Sequence, residues 1–348
     1  MIRCHRLFHG ALACIFLLPC LASRLCTTAV DAITGSWQLS SNLEMPQPAL
    51  CPSYAEHIHS SCASGFRSAK FTRAAGCSVL SFSSSLAALS GEILVVGDSL
   101  SFAIYQTLLC EAEDAKFPAV VNFVQDGQLR PECVPLLTPN WSVFSRTILG
   151  FAHLHSTPCH PSCPNASFRN ADVFHTKFSC SGCNVTNSWA PKAYDPHDLQ
   201  WIHRSRNAMA VIIGTGAWYS PYYLREDPVA VARQYTDTVT MAAKLLGKLS
   251  SKKPVIWMGL PPFVPPERDR RHGWSMFAQY DDVARSALQQ HAPAVVFVNV
   301  SLYAASRKIA DTNVSSDGLH WCTMSQTSVT RSLLHIVLHL LVVAFEQG

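Results

Sequence analysis

Short, predominantly apolar runs recur along this chain, at residues 93–96, 119–124, 208–213, 254–259 and 295–300, and stretches of helical periodicity separate them. The helical stretches lie at 102–112, 228–249, 276–291 and 325–345. Runs without polar alternation are what strands buried on both faces look like. Strands joined by helix-length connections pair in parallel, with helices packed on either side. The expected fold class is therefore α/β, a three-layer sandwich with a mainly parallel sheet, and 143–151 offers one further strand. With 348 residues, 48% of them apolar, the chain can form one large α/β core or two small ones.

Gly97-Asp98-Ser99-Leu100 follows directly on the first of these runs, and Asp317-Gly318-Leu319-His320-Trp321 precedes the last helix. A serine at the carboxyl end of a buried strand, opening a helix, is held at the sheet edge beside free backbone N–H groups. Ser99 is the candidate nucleophile. An aspartate and a histidine three residues apart on one turn can present an imidazole to a serine while the carboxylate orients it, which gives Asp317 and His320 those roles. Each fragment alone has a structural explanation. Glycine permits a turn and Asp or Ser caps the next helix, and a histidine bonded to a nearby carboxylate is ordinary packing. The order of the two along the chain, nucleophile on the first core strand and pair before the last helix, resembles the order that the SGNH hydrolase superfamily uses, and that resemblance favours the catalytic reading.

The net charge of +4 is spread along the chain, without an aromatic-interleaved basic stripe, so nucleic-acid binding is not expected. Arg3 and Arg6 precede the apolar stretch 11–22, a signal-peptide pattern. A retained anchor is the alternative, and a membrane partner is expected only in that case. Residues 1–23 are set aside on this ground. Residues 24–90, rich in Ser, Cys and Ala with weak periodicity, read as an irregular, disulfide-tied module packed on the main domain at 91–348. Residues 131–200 form a Cys-rich insertion within that domain. In a secretory compartment the fourteen cysteines are disulfides first and metal ligands second. Cys159, Cys163, Cys180 and Cys183, with zinc-ribbon-like spacing, are read in that order, and no metal is assigned. N-x-S/T triplets at Asn140, Asn165, Asn184, Asn299 and Asn313 suit the same compartment. The last helix is apolar, but His335 and His339 interrupt it, so it is expected to cover the sheet rather than cross a bilayer.

Taken together, these residues resemble the plant trichome birefringence-like proteins, the PC-esterase group of the SGNH superfamily. Gly35-Ser36-Trp37 resembles the opening G-x-W of that family, and Cys51-Pro52, Cys62 and Cys77 follow in its order. Gly97-Asp98-Ser99-Leu100 comes next, Gly214-Thr215-Gly216-Ala217-Trp218-Tyr219 resembles N-T-G-H-W-W, and Asp317-Gly318-Leu319-His320-Trp321-Cys322 resembles D-x-x-H-W-C. The resemblance covers about residues 26–345, apart from 131–200.

What it implies is a polysaccharide O-acetyltransferase of the Golgi lumen or a secreted one, with Ser99 taking the acetyl group, His320 as base and then acid, and Asp317 orienting it. Carbohydrate acceptor and acyl donor are the partners, no cofactor is bound, and the donor is unspecified. Water in place of the sugar gives a carbohydrate esterase or deacetylase, and a non-catalytic glycan-binding protein could keep the same fold. Also implied are disulfides Cys51–Cys110, Cys62–Cys322 and Cys26–Cys77. Oxyanion or positioning groups are expected at Gly127, Gly214 and Thr215, and substrate contacts at Trp218 and Tyr219. The family's asparagine falls at Gly214, its next histidine at Ala217, and its R-x-x-x-P-x-H-F block is replaced by Gly259-Leu260-Pro261-Pro262-Phe263.

Overall fold

Strands that are apolar on both faces need helices on both faces, and the chain supplies them alternately. The computed structural model describes residues 24–44, 66–89, 91–115, 119–123, 147–153, 205–217, 219–221, 227–262, 274–310, 319, 321 and 329–347. In chain order the elements are α1 (Ala29–Ile33), β1 (Gly35–Glu44), β2 (Phe66–Arg73), α2 (Phe82–Ala88), β3 (Gly91–Gly97), α3 (Ser99–Asp114), β4 (Ala119–Phe123) and β5 (Thr147–His153). They continue with β6 (Ala210–Gly214), α4 (Pro228–Ser250), β7 (Val255–Met258), α5 (Phe277–His291), β8 (Val296–Val298), α6 (Val300–Ala310) and α7 (Val329–Gln347).

The main sheet has six strands in the order β4-β5-β3-β6-β7-β8, and every pairing is parallel. Side chains alternate between two cores. Ile93, Val95, Ala210, Ile212, Ile256 and Met258 join the core built with α3, α6 and α7, while Leu94, Val96, Val211, Ile213, Val255 and Trp257 join the core under α4 and α5. This is the α/β sandwich that the apolar runs imply.

Helix α4 shows how the sequence sets an element. Asp227 caps it, its carboxylate accepting from the N–H groups of Val229 and Ala230, and Pro228 occupies the first turn, where no N–H is needed. Val231, Tyr235, Val239, Ala242, Leu246 and Leu249 then recur at three- and four-residue spacing and are buried. The segment expected to end in a strand at Val300 instead stops at Val298, and Asn299 Oδ1 accepts from Leu302 N (2.8 Å), capping α6. Among the described residues α7 is the helix long and apolar enough to cross a membrane, yet Leu334, Ile336, Val337, Leu338 and Leu341 are buried against the sheet and its neighbours.

The stretch before β3, read from its sequence as irregular, contains α1, α2 and the antiparallel pair β1–β2. Its buried residues belong to the same core as α3 and α7. Trp37, the aromatic of the G-x-W fragment, donates from Nε1 to the Tyr303 carbonyl (3.0 Å), and its ring packs against Phe71 and Tyr303 at 5.3 and 5.4 Å. That contact ties β1 to α6. The Cys26–Cys77 disulfide is formed. Cys51, Cys62, Cys322 and the side chain of Cys110 lie outside the described residues, as do Cys159, Cys163, Cys180 and Cys183.

Two histidines of α7 complete the attachment. Leu80 N donates to His339 Nδ1 (3.4 Å), so the ring proton sits on Nε2, which reaches the Cys26 carbonyl at 2.7 Å. His335 Nε2 lies 3.1 Å from Glu111 Oε2 on α3, and Arg331 already neutralises that carboxylate as an ion pair. Burial lowers the pKa of His339, the bond to the Cys26 carbonyl opposing it. Burial, then Arg331 and Arg73, lower that of His335 to about 4. The unfolded chain therefore binds protons that the folded chain refuses as pH falls below about 6.5. The stability contributed by these two sites is complete above about 6.5 and is lost as pH falls through the His335 value of about 4. Urea unfolding at pH 7 and at pH 4.5 should show the wild type losing on the order of 2 kcal/mol more than a His335→Gln/His339→Gln variant over that interval. Equal losses would show that neither imidazole is held neutral by the fold.

Candidate active site

In an open parallel sheet, ligands bind beyond the carboxyl ends of the strands at the point where connections leave in opposite directions. Here that point lies between β3 and β6. The connection from β3 runs through α3 to β4 on one flank, and that from β6 runs through α4 to β7 on the other. The two strand ends are stitched by Asp98. This fully buried side chain caps α3, its Oδ1 accepting from Leu100 N (3.0 Å). Its Oδ2 accepts from Gly216 N and Ala217 N, both at 3.1 Å, on the turn that follows β6. A carboxylate that accepts three backbone N–H groups is firmly fixed.

Close approach requires glycine at the end of β3. A Cβ on Gly97 would lie 2.0 Å from Ser101 Oγ and 2.3 Å from the Gly214 carbonyl oxygen. Ser101 Oγ donates to that same carbonyl at 2.8 Å, locking the first turn of α3 to β6. A Cβ on Gly214 would meet Met258 O at 3.0 Å and Ser101 Oγ at 3.3 Å, so a side chain there, where the related pattern carries asparagine, needs its neighbours to give by a few tenths of an ångström. Gly214 thus offers no side-chain donor, and the N–H groups of Gly216 and Ala217 are both committed to Asp98.

Ser99 is the first residue of α3, where N–H groups have no intrahelical acceptor. Asp317, His320, Gly127 and Trp218, and the side chain of Ser99, lie outside the described residues. Their chain neighbours are described. Asp98 and Leu100, on either side of Ser99, and Leu319 and Trp321, on either side of His320, all line one cavity of about 60 Å³ beyond the ends of β3, β6 and β7. Thr215 lines it too, 1% exposed, with an Oγ1 that has no hydrogen-bond partner among the described residues. Trp321 Nε1 is buried in the same condition.

Tyr219, expected to touch substrate, packs instead in the opposite core. Its ring meets Tyr235 at 5.1 Å, its hydroxyl pairs with Thr238 Oγ1 (2.8 Å), and its carbonyl accepts from the Tyr280 hydroxyl (2.8 Å). At 3% exposure it has no surface for a sugar. The reason is positional. The turn after β6 is held to α3 by Asp98, and the Tyr219 ring lies between α4 and α5.

Asp281 was not singled out by its sequence context. It is buried on α5, and Oδ1 accepts from Leu260 N (2.8 Å), pinning the Gly259–Pro261 turn that forms one wall of the cavity. Burial raises its pKa to about 7, against the lowering effect of the Leu260 bond.

No protein-family model matches the chain, and no curated protein matches it. Among solved structures it is similar to LAE5, an alpha/beta hydrolase enzyme from the metagenome of Lake Arreo, Spain, at 14% identity over 71% of this chain and 93% of that one, with a TM-score of 0.36. A variant of Axe2, an acetyl-xylooligosaccharide esterase from Geobacillus stearothermophilus, is 13% identical over 72% and 94% of the two chains, with a TM-score of 0.35. Likenesses this loose carry nothing about activity.

Replacing Asp98 by alanine leaves the Gly216 and Ala217 N–H groups buried without an acceptor, at roughly 1–3 kcal/mol each. Chemical denaturation should therefore show Asp98→Ala losing about 3 kcal/mol or more, and Asp98→Asn, which keeps one acceptor, losing less. An Asp98→Ala variant as stable as wild type would show that the carboxylate does not hold the two strand ends together.

Proposed function

We propose that the chain is a serine-dependent O-acyltransferase acting on carbohydrate hydroxyls, with acetyl as the group implied by the family resemblance. One observation carries the reading: the residues that flank Ser99 and those that flank His320 line the same cavity at the sheet's switch point. The support is that flanking residues of two fragments more than two hundred residues apart in sequence share the place where this architecture puts its chemistry.

In the proposed cycle Ser99 Oγ attacks the acyl carbonyl of a donor ester while His320 takes its proton. The donor's C–O bond breaks and His320 returns the proton to the leaving oxygen. A sugar hydroxyl then attacks the acyl-serine, giving its proton to His320, and Ser99 Oγ departs and regains it. Asp317 holds the imidazole in the tautomer both halves require. The N–H at the start of α3 is the donor best placed for the developing oxyanion, because those of Gly216 and Ala217 are occupied by Asp98. The Cys26–Cys77 disulfide and the N-x-S/T triplets support a working place in the secretory pathway.

The test is mass spectrometry of the full-length secreted protein after incubation with p-nitrophenyl acetate, comparing wild type with Ser99→Ala. An acetyl adduct on the Ser99 peptide of the wild type alone, discharged faster by added xylo- or manno-oligosaccharide than by buffer, is the expected result. Discharge by water at the same rate with or without sugar would make the protein an esterase. No adduct on Ser99 would contradict the nucleophile.

A further inference from the structure

We propose that the cavity beside Ser99 is an acyl-chain pocket built for a group longer than acetyl, a butanoyl to pentanoyl chain. This inference rests on the reading of Ser99 as the acyl acceptor and specifies what that residue carries. Three observations lead to it.

The walls are apolar. Leu100 and Ile104 come from α3, Met258 and Leu260 from the end of β7, and Val329 and Leu333 from α7. A sugar ring needs a partner for each of its hydroxyls, and the polar groups here are mostly spoken for. Asp98 is bonded to three N–H groups and Ser101 Oγ donates to the Gly214 carbonyl.

Two buried polar atoms of the lining residues remain unbonded. Thr215 and Trp321 line this cavity, and Thr215 Oγ1 and Trp321 Nε1 are buried without a hydrogen-bond partner among the described residues. Buried polar atoms are nearly always bonded, so two orphans in one cavity point to a ligand atom that satisfies them. The indole can only donate and the hydroxyl can donate, so the missing partner is an acceptor. A carbonyl oxygen on an otherwise apolar ligand meets that description.

The size sets the chain length. Roughly 10–15 Å³ suffices for one water-sized occupant, so about 60 Å³ takes roughly four to six non-hydrogen atoms. Acetyl, with two carbons and an oxygen, leaves the apolar end empty. Each further buried methylene favours the longer acyl group by roughly 4-fold until the space is filled.

The covalent step is the one already given: the Ser99 Oγ–acyl carbon bond forms, the donor's C–O bond breaks, and the serine proton leaves through His320 with the departing oxygen. The experiment measures kcat/KM of the protein on p-nitrophenyl acetate, butanoate, pentanoate and decanoate, with Ser99→Ala as the blank. Butanoate or pentanoate should exceed acetate by roughly 10-fold or more, from the methylene increments above, and decanoate should fall back. Two variants that narrow the cavity from different elements, Ala103→Leu on α3 and Val329→Phe on α7, should each lower the pentanoate-to-acetate ratio at least about tenfold, their folding being checked by thermal melts. Thr215→Val and Trp321→Phe should lower kcat/KM on every chain length.

A Ser99-dependent preference for acetate, or a ratio that neither narrowing variant changes, overturns the acyl-chain pocket and leaves Ser99 as nucleophile. Loss of turnover on every ester, with no dependence on Ser99, overturns both.

Discussion

The Asp98 carboxylate is the contact on which the rest of the site depends. Strand pairing sets Gly97 beside Gly214, but beyond that last pair the two turns leave the sheet as separate loops. Asp98 joins them by accepting one N–H at the start of α3 and two on the Gly216-Ala217 turn. Because these groups are buried, the bonds are shielded from water and their loss is costly. The same contact spends the N–H groups of the second turn, which leaves the beginning of α3 as the place where a negative oxygen can be received. In the proposed cycle, the residue preceding Ser99 thus determines where the oxyanion can sit.

Around this stitch the fold packs one face of the sheet heavily. α3, α6 and α7 share a core with the N-terminal elements, and those elements are fastened by bonds of different kinds: Trp37 to the Tyr303 carbonyl, Cys26 to Cys77, and His339 to Cys26 and Leu80. α6 and α7 each begin beside the cavity, with Val300 and Val329 in its wall. Fixing β1 against α6 and the 24–27 segment against α7 therefore steadies two walls of the cavity from behind. The cysteine-bearing N-terminal stretch has a mechanical bearing on the site even though it contributes no described residue to it.

Much of the fold was legible because a strand buried on both faces leaves an uninterrupted apolar run. β3, β6 and β7 were read that way, and α4 was read from its three- and four-residue spacing behind Asp227-Pro228. β1 was not seen because only Trp37 marks its buried face strongly, within a serine-rich stretch. α6 was missed because it follows β8 after a single residue, and Val300 reads as the end of the strand when the helix cap at Asn299 goes unnoticed. At the site, Ser99 and the departure at Gly214 were visible as motif fragments. Tyr219 was misplaced, since an aromatic beside a motif looks the same whether it faces a cleft or a core. Asp281 had no local signal, because its role arises only when α5 packs on the turn after β7. Asp317 and His320 are legible in the sequence and stand outside the described residues.

The central claim is that Ser99 is activated by His320 at this switch point. The most direct measurement is labelling of the full-length protein by a small fluorophosphonate, followed by peptide mapping, in wild type and His320→Ala. The account predicts a single phosphonylated peptide containing Ser99, with labelling slowed at least about a hundredfold when His320 is replaced, in line with the loss of a general base. Labelling at another serine, or labelling of Ser99 at an unchanged rate without His320, would contradict it.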